Sequence, residues 1–202
     1  MGRGAYCASV CCFTLLAQAC TSGTDATTTP KSVELNVVSV EVVRNISGIP
    51  EFQENSDAER TAPTAYPDIP EPCLAVYHEP TVFGTDWTQF RRVVHSATID
   101  DPFIPPIVNV VQTIAVYPDN AQAQATFNRL QDAVPRCAAA NIEYFSKVPR
   151  RPDPSTIVFD GEEANYVYRI AQSAVIYVSA IGPFNTDDVV SKISDQLARQ
   201  QD

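Results

Sequence analysis

Histidine is scarce in this chain: its 202 residues hold two, His78 and His95, beside one tryptophan and one methionine. That scarcity narrows the chemistry. A hydrolytic triad needs a nucleophile, a base and an orienting acid. The adjacent pair His95-Ser96 fails the geometry, because neighbours on a strand leave opposite faces. Gly-x-Ser-x-Gly is absent as well. Neither His78-Glu79 nor His95 with Asp100 and Asp101 shows the His-x-x-x-His or Cys/His spacing of a metal site. Both histidines are therefore expected on loops or the surface, with no metal and no cofactor. Asp160-Gly161-Glu162-Glu163 lacks the alternating acids and distal Glu of a calcium loop and reads as a polar turn. Basic residues are also few, 14 against 24 acidic, for a net charge of -10. Such a surface repels phosphates, which makes nucleic acid and anionic headgroups poor partners.

What is present begins at the N-terminus. Arg3 is the sole charge before Asp25, and an apolar run over 5–16 includes Val10, Phe13, Leu15 and Leu16. At about twelve residues the run is too short to cross ~30 Å of hydrocarbon but normal for the centre of an export signal. Ala17-Gln18-Ala19-Cys20 follows and resembles the lipobox of bacterial lipoproteins, whose cysteine is acylated and becomes the first residue. The pattern departs at Ala17, where leucine is usual, and at Gln18, where a small residue is usual. An ordinary cleaved signal or a misassigned start reads the same residues differently. The expectation is a signal peptide over 1–19, then lipidated Cys20 and a Thr/Ser/Gly/Pro tether to 32, then one domain over 33–202. The partner so implied is a membrane, through the lipid. Asn45-Ile46-Ser47 matches a glycosylation sequon that a bacterial lipoprotein normally ignores.

Cys7, Cys11 and Cys12 leave with the signal. Cys73 and Cys137 then remain beside the anchor, and an even pair in an exported chain reads as one disulfide. There is no Cys-x-x-Cys to make the pair redox-active.

Hydrophobic periodicity predicts the elements. Ser39 suits an N-cap for a helix bearing Val40, Val43 and Ile46 that stops at Gly48-Ile49-Pro50. Residues 51–72 read as an acidic surface loop, followed by a short helix over 73–78 that Pro80 ends. A strand is predicted over 87–95 and a stronger one over 107–117, where Val108, Val110, Ile114 and Val116 share a face. The segment 100–106 breaks the chain between them. Asp119 caps a helix with Ala123, Phe127, Leu130 and Val134 on one side, bent or ended at Pro135. A short strand over 143–147, a loop over 149–154, a hairpin over 165–171 and 173–181, and a terminal helix capped by Thr186 complete the reading. Strands and helices mix without a regular β-α-β alternation. That predicts α+β: an antiparallel sheet with helices gathered on one face.

Gln112 shares the face of Val110 and Ile114. In a core its amide must be bonded, since unpaired burial costs about 1–3 kcal/mol. In a cleft it would present a polar group to a ligand. Tyr77, Trp87, Tyr166 and Tyr168 are the aromatics expected to line such a cleft with it, although Tyr and Trp also serve as ordinary core residues.

Taken in order, the lipobox and tether, Cys73, Trp87-Thr88-Gln89-Phe90, the strand Val110-Val111-Gln112-Thr113-Ile114, the Ala/Phe helix running into Cys137, the hairpin and the final helix resemble a known domain. It is the extracellular sensor domain of mycobacterial PknH-type serine/threonine kinases, in particular as carried by stand-alone lipoproteins without a kinase. The resemblance spans about residues 33–200. It implies an antiparallel sheet flanked by helices, a central cleft thought to receive a ligand, and no catalytic motif. Family members commonly carry two disulfides, where this domain has cysteines for one. The function expected is non-catalytic recognition of an unidentified envelope ligand at the extracytoplasmic face. A protein-interaction module for an envelope or kinase partner is the alternative, and an enzyme of unrecognised type a third.

Overall fold

The computed structural model describes residues 35–100, 108–161 and 164–201. The expected signal, Cys20, the tether, most of the 100–106 break and the acidic pair of the 160–163 turn lie outside the described residues.

A single antiparallel sheet organises the domain. Its strands are β1 (Gln53–Glu54), β2 (Gln89–Ala97), β3 (Val108–Val116), β4 (Arg150–Asp153), β5 (Thr156–Phe159), β6 (Ala164–Ala171) and β7 (Ala174–Ile181), in the spatial order β1-β2-β3-β7-β6-β5-β4. The helices are α1 (Val40–Ser47), α2 (Leu74–Tyr77), α3 (Glu79–Phe83), α4 (Asn120–Ala139) and α5 (Thr186–Arg199). The α+β class and the antiparallel sheet flanked by helices are as expected. The helices are not gathered on one face, however. α1 and α5 pack on one side of the sheet, through Val43, Val190, Ile193 and Leu197 against Val110, Ile114, Ile176 and Val178. α2, α3 and α4 pack on the other, through Val76, Phe83, Phe127 and Leu130 against Ala115, Ile157, Tyr168 and Val175. The central strands are buried on both faces, which is why β3 carries apolar residues at odd as well as even positions.

Several local readings give way to longer-range contacts. Pro80 opens α3 instead of ending a helix, since the first turn has no use for its missing N–H. α4 runs through Pro135 to Ala139. Proline frees the carbonyl four residues back, on Gln131, and Arg151 Nη2 donates to that oxygen at 3.3 Å. Beyond α4, 143–147 is a turn and not a strand. Asn141 takes φ 51° as the chain leaves the helix, and Ser146 Oγ donates to Cys137 O at 2.7 Å while accepting from Ile142 N at 2.6 Å. The expected 149–154 loop is edge strand β4, where proline is tolerated because one side of an edge needs no ladder. The supposed surface loop over 51–72 buries Phe52 completely and contributes β1. The cap of α5 is Asn185, whose side chain accepts from Asp188 N at 3.1 Å. Cys73 and Cys137 are bridged, with Cα atoms 4.6 Å apart, and so pin the chain entering α2 to the last turn of α4.

Candidate functional site

Side chains alternate along a strand, so the two-faced sheet sorts the candidate residues. Odd positions of β3 and β7 and even positions of β2 and β6 point toward α2, α3 and α4, and the other set points toward α1 and α5. The register places Thr113 opposite Tyr177, Tyr177 opposite Tyr168, and Val111 opposite Ser179. Tyr168 and Tyr177 consequently meet, ring centroids 4.8 Å apart. The Tyr168 hydroxyl donates to Val76 O at 2.7 Å and fixes the end of α2 on the sheet. Tyr77, the last residue of α2, reaches down beside them. Its hydroxyl donates to Phe145 O at 2.8 Å and accepts from the Tyr166 hydroxyl at 2.5 Å, while Tyr166 stacks on Phe159 with centroids 4.7 Å apart. Burial pushes the Tyr77, Tyr166 and Tyr168 phenols up, and Tyr177 up to about 12 for the same reason. All four stay neutral hydrogen-bonding groups at physiological pH.

Among the described residues, the helices leave one end of this face uncovered. There a cleft of about 230 Å³ forms between the start of α3 and strands β2, β3 and β7. Tyr66, Tyr77, Phe83, Val111, Tyr168 and Tyr177 supply apolar surface; Glu79, Arg92, Asn109 and Ser179 supply polar groups. The Glu79 carboxylate lies 3.2 Å from Arg92 Nε and accepts from Thr64 N at 2.8 Å. Desolvation raises its pKa, opposed by the Thr64 amide and the Arg92 charge. Arg92 also donates from Nη1 to Ala58 O at 3.2 Å and exchanges backbone bonds with Arg60. The ion pair therefore straps the segment 58–64 along the rim of the cleft.

Gln112 does not belong to this site. It faces α1 and is fully buried, with Oε1 accepting from Val38 N and Nε2 donating to Val38 O, both at 2.9 Å. The amide imitates a strand partner for the segment before α1, and its placement corrects the expectation that it would share a cleft with the tyrosines. His95 lies beside it, Nδ1 at 3.3 Å from Gln112 Nε2, and is buried in β2 instead of sitting on a loop. Trp87 also stands apart. Its Nε1 donates to Gly84 O at 3.0 Å and its ring packs on Phe90. The aromatics brought together are Tyr77, Tyr166 and Tyr168, with Tyr166 behind the wall and the other two lining it. Sequence reasoning missed Tyr177, Glu79 and Arg92. Tyr177 was visible as the aromatic of the second hairpin strand; Glu79 and Arg92 carry no local signal, because their meeting depends on the α3–β2 approach.

Elsewhere, a shallower hollow of about 470 Å³ beside β1 is rimmed by Glu51, Glu54 and Asp57. No group of three or more potential metal ligands occurs among the described residues, and none of their helices is long and apolar enough to cross a membrane.

The described residues form a two-faced antiparallel sheet flanked by helices, with a cleft at one end of one face. The chain belongs to the family of PknH-like extracellular domains, whose model matches residues 28–200. In fold it is similar to the crystal structure of the extracellular domain of PknH from Mycobacterium tuberculosis, with a TM-score of 0.59 at 20% sequence identity, covering 81% of this chain and 93% of that one. Among curated proteins, none matches.

Proposed function

We propose that this protein is a cell-envelope lipoprotein, held at the extracytoplasmic face of the cell membrane by lipid on Cys20, whose domain binds an envelope ligand in the tyrosine-lined cleft without turning it over. The observation that carries the reading is the cleft itself. It is concave, mixes apolar walls with a few convergent polar groups, and lies on a rigid sheet, which is how ligand sites are built. Turnover is left out on chemical grounds. The acid of the cleft, Glu79, is committed to Arg92 and Thr64 N, and His95 faces the opposite side of the sheet.

Native mass spectrometry of the protein purified from its own envelope tests the reading. The wild type should carry a bound species that Ser179→Phe, which fills the cleft, releases. A species retained equally by both proteins would move the site elsewhere. For the anchor, Cys20→Ala should abolish incorporation of labelled fatty acid, and unchanged labelling would remove the lipoprotein reading.

One observation favours a second reading, a protein-interaction module. Tyr144, on the turn after α4 with φ 68°, is 81% exposed, and Val148, just beyond that turn, is 83% exposed. Large apolar side chains presented on a strained turn suit a protein partner. Tyr144→Ser with Val148→Ser should then abolish partner capture and leave the species bound in the cleft.

A further inference from the structure

We infer that the cleft takes a neutral polyhydroxylated ring, a single sugar unit either free as a glycoside or as part of a glycan. The inference rests on the cleft reading above and names its ligand class.

Charge is the first ground. Glu79 and Arg92 face each other at 3.2 Å, so the polar side of the cleft carries no net charge. A phosphate drawn to Arg92 would meet the Glu79 carboxylate, and an ammonium drawn to Glu79 would meet the guanidinium. Either ion would have to break a nearly buried pair, whose side chains are 14% and 10% exposed, and breaking such a pair leaves one charge uncompensated.

Hydrogen-bonding capacity is the second. Arg92 donates from Nη1 to Ala58 O, and Glu79 accepts from Thr64 N. A guanidinium has five donors and a carboxylate about four lone-pair positions, more than the partners found here use. Asn109 and Ser179 line the same cleft and add further donors and acceptors. A ring of hydroxyls, each donating and accepting, answers such an alternating set. A purely apolar ligand would bury these groups unpaired, at a cost.

Shape is the third. The rest of the lining is largely apolar, from Tyr66, Tyr168, Tyr177 and Val111, and suits the C–H face of a sugar ring. The volume of about 230 Å³ falls below the ~300–1,000 Å³ of pockets for drug-sized ligands and suits one ring.

The test is 15N-NMR titration of the full chain with methyl α-glucoside, methyl α-mannoside and methyl β-galactoside. Phenyl phosphate, phenyltrimethylammonium and cyclohexanol serve as anionic, cationic and apolar probes. At least one glycoside should shift the Val111, Tyr177 and Ser179 amides, and the charged probes should not. Asn109→Ala, at the half-buried end of β3, should weaken that glycoside roughly tenfold, the order given by a lost hydrogen bond to a polar group, with Glu79→Gln as a second variant. Tighter binding of the matching trisaccharide supports a glycan chain as the source, and equal binding supports a free unit. If cyclohexanol or a charged probe shifts these amides and no glycoside does, the sugar inference fails and the cleft reading stands. If no probe shifts them, both fail.

Discussion

Replacing Gln112 by leucine separates a structural role from a ligand-binding one. The side chain bonds both polar groups of Val38, a residue 1% exposed, from 74 positions away in the chain. Leucine fits the volume but offers neither donor nor acceptor. It leaves the Val38 N–H and C=O buried and unpaired, each at about 1–3 kcal/mol. Relaxation of the 35–39 segment and the added apolar contact recover part of that loss. The expected destabilisation is therefore about 3 kcal/mol, or a fall in Tm of ~6–12 °C for a domain of this size. Urea unfolding followed by tyrosine fluorescence measures the first, and hydrogen exchange at the Val38 amide should quicken in parallel. Binding in the tyrosine cleft should be unchanged, since Gln112 is on the other face of the sheet. A loss below about 1 kcal/mol, or weakened ligand binding by a protein that remains folded, would refute the assignment of Gln112 to the core.

Further predictions follow from the bridge and from His95. Intact mass under non-reducing conditions should show Cys73 and Cys137 lacking two hydrogens. Their replacement by alanine should cost up to about 4 kcal/mol on the chain-entropy model, since the cysteines are 64 residues apart, yet leave a folded domain. His95 is depressed below its ordinary 6.5, chiefly by burial, with Glu54 and Glu41 acting in the opposite direction. The unfolded chain thus binds this proton more readily than the folded one. The stability His95 contributes is fully present above pH 6.5 and is lost as pH falls through its depressed folded value. The difference in unfolding free energy between wild type and His95→Gln should vary with pH in that window; a flat difference would show that His95 does not titrate on unfolding.

The parts of the fold legible in the sequence were those whose periodicity is long. The nine residues of β3, the twenty of α4, the hairpin β6–β7 and α5 each repeat their pattern often enough to be read. β1, β4 and β5 have four residues or fewer and repeat nothing. The path through Pro135 was hidden because it rests on Arg151, which lies on another element. For the site, the tyrosines were visible by type, but the face each occupies depends on register. Gln112 looked like an interruption of an apolar face, and so it is. Whether such an interruption meets a ligand or a backbone was decided by Val38, which no spacing rule connects to it.

The envelope ligand proposed for this domain should reach the Tyr77–Tyr168–Tyr177 cleft and no other surface. NMR of the protein labelled at its tyrosines, titrated with fractionated extract of its own cell envelope, tests this. A fraction should shift the ring signals of Tyr77, Tyr168 and Tyr177, Ser179→Phe should abolish those shifts, and Tyr144 should not move. Shifts confined to Tyr144, or cleft shifts that persist in Ser179→Phe, would contradict it.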